Sequence, residues 1–186
     1  MKFLKWFLIV LVSIGLLIVF VGWPYMKKQT KKISPEQTEI YANNGLDLAV
    51  NYSAPFKKNR VIFGELVPYN AVWRTGANEP TTFTTSSAIK IIDKNLPAGT
   101  YSFWTKPNKD SWVVIFNKEV PGWGVSFLSG GSETSRDAKE DIIEIEVPVT
   151  NLTETVERLT FGFEDENQLV LTLAWDKTKI SIPINK

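Results

Sequence analysis

From Trp6 to Met26 no side chain carries a charge, and Phe7 to Val21 contains 13 Phe, Leu, Ile and Val residues. Those 21 uncharged residues, wound as a helix at about 1.5 Å per residue, extend roughly 31 Å, the hydrocarbon thickness of a bilayer. At about −0.3 to −0.6 kcal/mol each, the 13 apolar side chains supply about −4 to −8 kcal/mol of insertion free energy, and no charge opposes them. Residues 1–32 therefore read as a single membrane-spanning helix.

The ends of the run support this reading. Trp6, Trp23 and Tyr25 bracket it where amphipathic rings favour the headgroup level, with Lys2, Lys5, Lys27, Lys28, Lys31 and Lys32 just outside. A cleaved signal needs a shorter apolar region and small residues at the cut, whereas Gly22-Trp23-Pro24-Tyr25-Met26 is bulky. The expectation is an uncleaved anchor without a lipid, since lipidation there needs a cysteine. Its orientation is open. Four lysines follow the run against two and the terminal amine before it, which favours a cytoplasmic domain. A short flank ahead of a first apolar segment is also the layout of a retained export signal.

About 150 residues remain, enough for one domain. Without the six flanking lysines, 15 basic residues stand against 20 acidic ones, so residues 33–186 carry a formal charge of −5. Nucleic acid is not an expected partner, because no basic stripe is present to neutralise phosphates. The chain has no cysteine and no histidine. Disulfides, thiolate catalysis and zinc thiolate sites are thereby excluded, along with the commonest base and metal ligand. No metal and no cofactor is called for.

Apolar residues alternate with a period of two over much of the remainder, the pattern of half-buried strands. Leu46, Leu48, Val50 and Tyr52 show it, as do Ile143 to Val149, Leu159 to Phe163, Leu169 to Trp175 and Ile180 to Ile184. Trp112 to Phe116 is continuously apolar and reads as a central strand covered on both faces. Turn chemistry separates these runs at Asp93-Lys94-Asn95, Leu96-Pro97-Ala98-Gly99, Pro107 to Asp110 and Glu164 to Asn167. The prediction is an all-β domain over residues 45–186, an antiparallel β-sandwich of roughly eight to ten short strands, jelly-roll-like. Two segments are predicted to be irregular: a polar stem spanning Lys27 to Thr38, with residues 33–44 as the linker, and a mobile charged loop from Ser129 to Asp141 opened by Ser129-Gly130-Gly131-Ser132.

Gly64 to Thr85 breaks the alternation. Its Arg74-Thr75-Gly76-Ala77-Asn78-Glu79 core sits among large apolar residues, where a buried charge without a partner costs several kcal/mol. At these residues the chain resembles a known family, the bacterial domain of unknown function numbered 2911. The matching pieces are Phe63 to Tyr69, Val72-Trp73-Arg74-Thr75-Gly76-Ala77-Asn78-Glu79, Leu96 to Ser102, Trp112 to Lys118 and Leu173-Ala174-Trp175, within residues 45–184. The resemblance implies an exported β-sandwich, commonly carried on a cleavable signal or a lipid. This chain departs from that habit by its apolar helix. The resemblance brings no established activity and no catalytic residues.

Two readings of Arg74, Asn78 and Glu79 stand side by side. In one they form a ligand pocket, with the planar guanidinium gripping a carboxylate or sulfate. In the other they form a structural clamp, with Arg74 paired to Glu79 or Glu65 and Asn78 holding a turn. Trp104 and Trp123 are candidates for a sugar-stacking platform, although aromatics on alternating strand positions are more often core. Glu164-Asp165-Glu166 lacks the ligand spacing of a calcium loop and reads as a solvated turn. Asn151-Leu152-Thr153 matches a glycosylation acceptor, a pattern common by chance.

Catalysis would have to rely on serine, lysine, tyrosine or paired carboxylates, with Glu65 and Glu79 as a glycosidase-like acid and base pair acting on glycans. The expectation leans away from an enzyme. It favours a non-catalytic β-sandwich, held by a single-pass anchor on the extracytoplasmic side, that binds a small molecule, a glycan or an envelope protein. A structural envelope subunit is a further alternative.

Overall fold

The computed structural model describes residues 2–126, 129–131 and 133–186. The side chain of Lys2 and the loop residue Ser132 lie outside the described residues.

The apolar run forms one continuous helix: α1 (Lys2–Leu17), a π turn (Ile18–Gly22) and α2 (Trp23–Ile33). Residues Phe3–Ile33 are long and apolar enough to cross a membrane, and the apolar window is not buried against the rest of the protein. By length and composition the helix is compatible with membrane anchoring.

Nine strands follow: β1 (Glu36–Asn43), β2 (Leu46–Ser53), β3 (Thr81–Thr85), β4 (Ile89–Ile91), β5 (Lys94–Leu96), β6 (Gly99–Lys106), β7 (Ser111–Asn117), β8 (Asp141–Asp165) and β9 (Leu169–Asn185). All named pairings are antiparallel, in the order β1-β2-β3-β6-β7-β8-β9-β4-β5. The predicted all-β antiparallel class is what the chain adopts.

β8 and β9 turn one ladder into two facing halves. The first part of β8 pairs with β7 from Asp141 to Pro148, and its last part pairs with β9 from Thr160 to Asp165. Between them the register slips at Asn151/Val156 and Val156/Thr160, and Asp176 of β9 adopts φ 55° opposite Val156. Such bulges bend a strand, so each long strand serves both halves. The segment after β2 then bridges back to the second half at Phe56–Arg158. Lys57 N–H donates to Glu157 O and Leu159 N–H to Pro55 O on either side of this bridge.

The core lies between the halves. Leu46, Leu48, Val50 and Tyr52 are buried as their alternation requires, and Trp112, Val114 and Phe116 fill the centre from β7. Phe161 of β8 meets Tyr52 at 4.8 Å and Phe103 at 5.6 Å between ring centroids, tying the halves together. Burying one such ring contributes about 1.5–3 kcal/mol.

The structure departs from expectation in three places. Lys27 to Thr38 is not an irregular stem: helix runs to Ile33, Ser34-Pro35 forms the junction, and β1 begins at Glu36. β1 escapes the period-two test because it is an edge strand held by its backbone ladder to β2, with Ile40 turned outward. The runs 143–149 and 159–163 belong to one strand, as do 169–175 and 180–184, because bulges rather than turns separate them. The turn expected at Asp93-Lys94-Asn95 lies one residue earlier, with Ile92 at φ 58° and Lys94 already in β5. The described part of the Ser129–Asp141 segment is irregular as expected, apart from a short 3-10 turn at Ala138–Glu140 capped by Asp137, and Glu133 O accepts Ser126 N–H at 2.9 Å.

Candidate functional site: a cationic cavity at the motif loop

The Trp73–Glu79 loop is fastened to three elements. Trp73 and Thr105 of β6 exchange backbone hydrogen bonds at 2.7 and 3.0 Å, Ala77 N–H donates to Ser53 O at the end of β2, and Gly124 N–H donates to Asn78 O. Thr75, fully buried at φ 55°, donates its hydroxyl to Trp73 O, contacts Thr105 Oγ1 at 3.1 Å and accepts Thr81 Oγ1 on its carbonyl. A left-handed threonine costs of order 1–3 kcal/mol, and these bonds over-determine it. Gly76 and Gly124 allow the close approach. A Cβ on Gly76 would stand 2.9 Å from Ser53 O, and one on Gly124 would stand 2.2 Å from Arg74 Cδ.

This framework holds Arg74 against a cavity of about 270 Å³. Trp73, Trp175 and Phe56 contribute aromatic surface, Lys58, Arg60 and Arg74 contribute charge, and Ile33 and Ser34 from the end of the helix complete one side. No Asp or Glu is in the wall. Trp73 stacks on Trp175 at 6.0 Å and 18°, and donates its indole N–H to Gly76 O. Of the six side-chain polar atoms buried without a partner among the described residues, two belong to residues of this wall, Arg74 Nε and Trp175 Nε1. Burial alone pushes the Arg74 guanidinium down from the ordinary arginine value, with no carboxylate to oppose it. A smaller hollow of about 160 Å³ lies against the same residue with Glu133 in its wall. Among the described residues Arg74 makes no ion pair.

The clamp reading of Arg74 is therefore corrected. Glu79 turns to the helix, where Lys27 Nζ stands 3.1 Å and Lys31 Nζ 3.9 Å from Oε1, and Glu65 is exposed. The helix supplied cations that the linker reading had placed in an irregular stem. Asn78 is buried at φ 61° and donates to Ser53 Oγ at 3.3 Å, so it holds the loop without lining the cavity.

The stacking candidates also find other contacts. Trp104 has no exposed surface and donates to Ser102 Oγ at 2.7 Å, whose hydroxyl in turn bonds Glu119 O. It offers no ring face to a sugar. Trp123 is half-buried, 5.3 Å from Trp23 of the helix. In the acidic turn, Glu164 pairs with Lys179 and Asp165 accepts the Tyr41 hydroxyl.

Sequence reasoning singled out Arg74 but missed Lys58, Arg60 and the walls from Trp175 and Ile33. One signal was present: Lys57-Lys58-Asn59-Arg60 is a basic cluster in a net acidic domain. What it could not show is that this cluster folds over the same space as Arg74.

Fold and cavity together define a class: an antiparallel β domain carrying a cation-lined pocket at the foot of an apolar helix. The family described as "Protein of unknown function (DUF2911)" matches residues 34–184. The chain belongs to that family. No curated protein and no solved structure matches it.

Proposed function

We propose that this protein is a single-pass membrane protein whose β domain is a non-catalytic binding module on the extracytoplasmic side. Its ligand is a small anion, a carboxylate, phosphate or sulfate attached to an apolar or aromatic body. The observation that carries this reading is half-buried Arg74, its Nε buried without a partner and no ion pair on its guanidinium, beside a cavity with two further cations and no acid in its wall. A cation taken out of water without a partner is costly, and an anion seated on it recovers that cost through charge-assisted bonds. Half-buried Trp73, backed by its stack on Trp175, offers apolar ring surface beside it. The extracytoplasmic side follows the exported habit implied by the family resemblance. A carboxylate-based glycan hydrolase gains no support, since Glu79 is engaged by Lys27 and Lys31 and neither Glu79 nor Glu65 lines the cavity.

The test is a thermal-shift screen of the full chain in detergent against aromatic and aliphatic carboxylates, phosphates and sulfates. A ligand that binds only the folded form raises the melting temperature by mass action. Arg74→Met should leave the unliganded protein as stable as wild type or slightly more stable, because an uncompensated buried charge is replaced by an apolar chain. It should also abolish the ligand-induced shift. Arg74→Lys should keep only part of that shift, since lysine lacks the planar fork. A strongly destabilised Arg74→Met protein, or shifts that survive the substitution, would sink the reading.

A further inference from the structure

Helix and domain meet a second time, away from the cavity. The rings of Trp23 and Trp123 lie edge to face with centroids 5.3 Å apart. Lys27 Nζ stands 5.7 Å from one ring centre and 5.8 Å from the other while reaching Glu79. Trp123 belongs to the Pro121-Gly122-Trp123-Gly124 turn, which is fixed in place: Gly124 N–H is bonded to Asn78 O, and Trp123 O accepts the Ser135 hydroxyl. The contact thus joins the helix to the same framework that builds the motif loop.

Depth follows from the helix. Trp6 and Trp23 bracket the apolar run, about 26 Å apart along the helix, so Trp23 lies near the end of a hydrocarbon crossing, where tryptophan favours the headgroups. A side-by-side ring contact puts Trp123 at that same level. Around it, Val120 is 45% exposed, Gly122 is exposed and Pro121 is half-buried, with the Lys118 side chain also in solvent. An apolar side chain, a tryptophan and a lysine are the residue types that settle at a lipid interface.

We propose that the Lys118–Gly124 turn is a membrane-contact surface, and that its partner is the phospholipid interface of the same bilayer the helix crosses. The domain lies down on the membrane through this turn. This rests on the reading of the helix as a membrane span, and the experiment separates the two.

The chain contains no cysteine, so single labels are clean. Gly122→Cys is the first site, because a Cβ there meets nothing within 4 Å, and Val120→Cys is the second. Tyr25→Cys on the helix serves as the membrane reference. Asn167→Cys serves as the distant one, since the β8–β9 turn lies at the far end of β1, where Tyr41 and Asn44 bond Asp165. Each full-length variant, labelled with a nitrobenzoxadiazole probe, is reconstituted into phosphatidylcholine–phosphatidylglycerol vesicles containing headgroup spin-labelled lipid. Probes at positions 122 and 120 should lose emission to the same extent as the probe at 25, while the probe at 167 keeps its emission. If 25 is quenched and both 122 and 120 behave like 167, the surface proposal is overturned while the spanning helix stands. If 25 is not quenched, or alkaline carbonate strips the chain from the vesicles, the spanning reading falls and takes this one with it.

Discussion

Among single residues, Gly76 places a tight demand on the motif loop from within it. It has an ordinary backbone conformation, so its role is close approach: a methyl there would press within 2.9 Å of the Ser53 carbonyl, a backbone atom that also accepts Ala77 N–H. Gly76→Ala should therefore destabilise the domain by about 1–3 kcal/mol, the usual cost of overpacking. Denaturant unfolding would measure it, and wild-type stability would mean that loop and β2 can separate freely. Gly76 in Arg74-Thr75-Gly76-Ala77 is legible in the sequence as a break in alternation, and Arg74 is legible as a charge needing a partner. Which partner it lacks was not legible. Glu79, five residues along, was the natural sequence candidate, and only the fold shows that its carboxylate is turned away by Lys27 and Lys31.

Among elements, the helix end and β1 form one joint. Lys31 Nζ donates to Glu36 Oε2 at 2.7 Å across the Ser34-Pro35 junction. That bond, helped by the nearby Glu79 charge, holds the Lys31 ammonium above its ordinary value, and the same bond to Lys31 holds the Glu36 carboxyl below its ordinary value. The signs define a window. The depressed carboxyl contributes above its ordinary value of 4.5 and is lost as pH falls through its folded value. The raised amine contributes below 10.5 and is lost only as pH rises through its folded value. Hydrogen-exchange protection factors for residues 31–36 should therefore be flat across neutral pH and fall, on the acid side, only below 4.5. A fall already near neutrality would contradict this account of the joint. Both side chains are more than a third exposed, so salt should loosen it as well. The strands with alternating apolar residues were legible because burial on one face writes a period of two. β1 was not, because an edge strand made of Glu36, Gln37, Thr38 and Glu39 is specified by its neighbour's backbone. The bends of β8 and β9 were equally silent, since a bulge changes pairing without requiring a turn residue.

For the whole molecule, the side of the membrane is the property on which the functional reading depends most. A reporter fused after Lys186 that is active only outside the cytoplasm should be active, and activity confined to a cytoplasmic reporter would overturn the exported placement. The cavity wall at Ile33 lies ten residues beyond Trp23, or about 15 Å along the helix axis, so a ligand would bind close above the lipid surface. The helix continues unbroken to within two residues of β1 and is tied to the domain by Glu79, by Trp123 and, at the junction, by Pro35 O, which accepts Ala54 N–H. There is no swivel between them. The domain's compass bearing in the plane of the membrane is therefore set by residue count. Each added helical residue would swing it by about 100° relative to the helix face below and lift it about 1.5 Å. The wide turn at Ile18–Gly22 is an insertion of that kind, so it resets the heading of the cavity relative to whatever neighbours the lower helix faces.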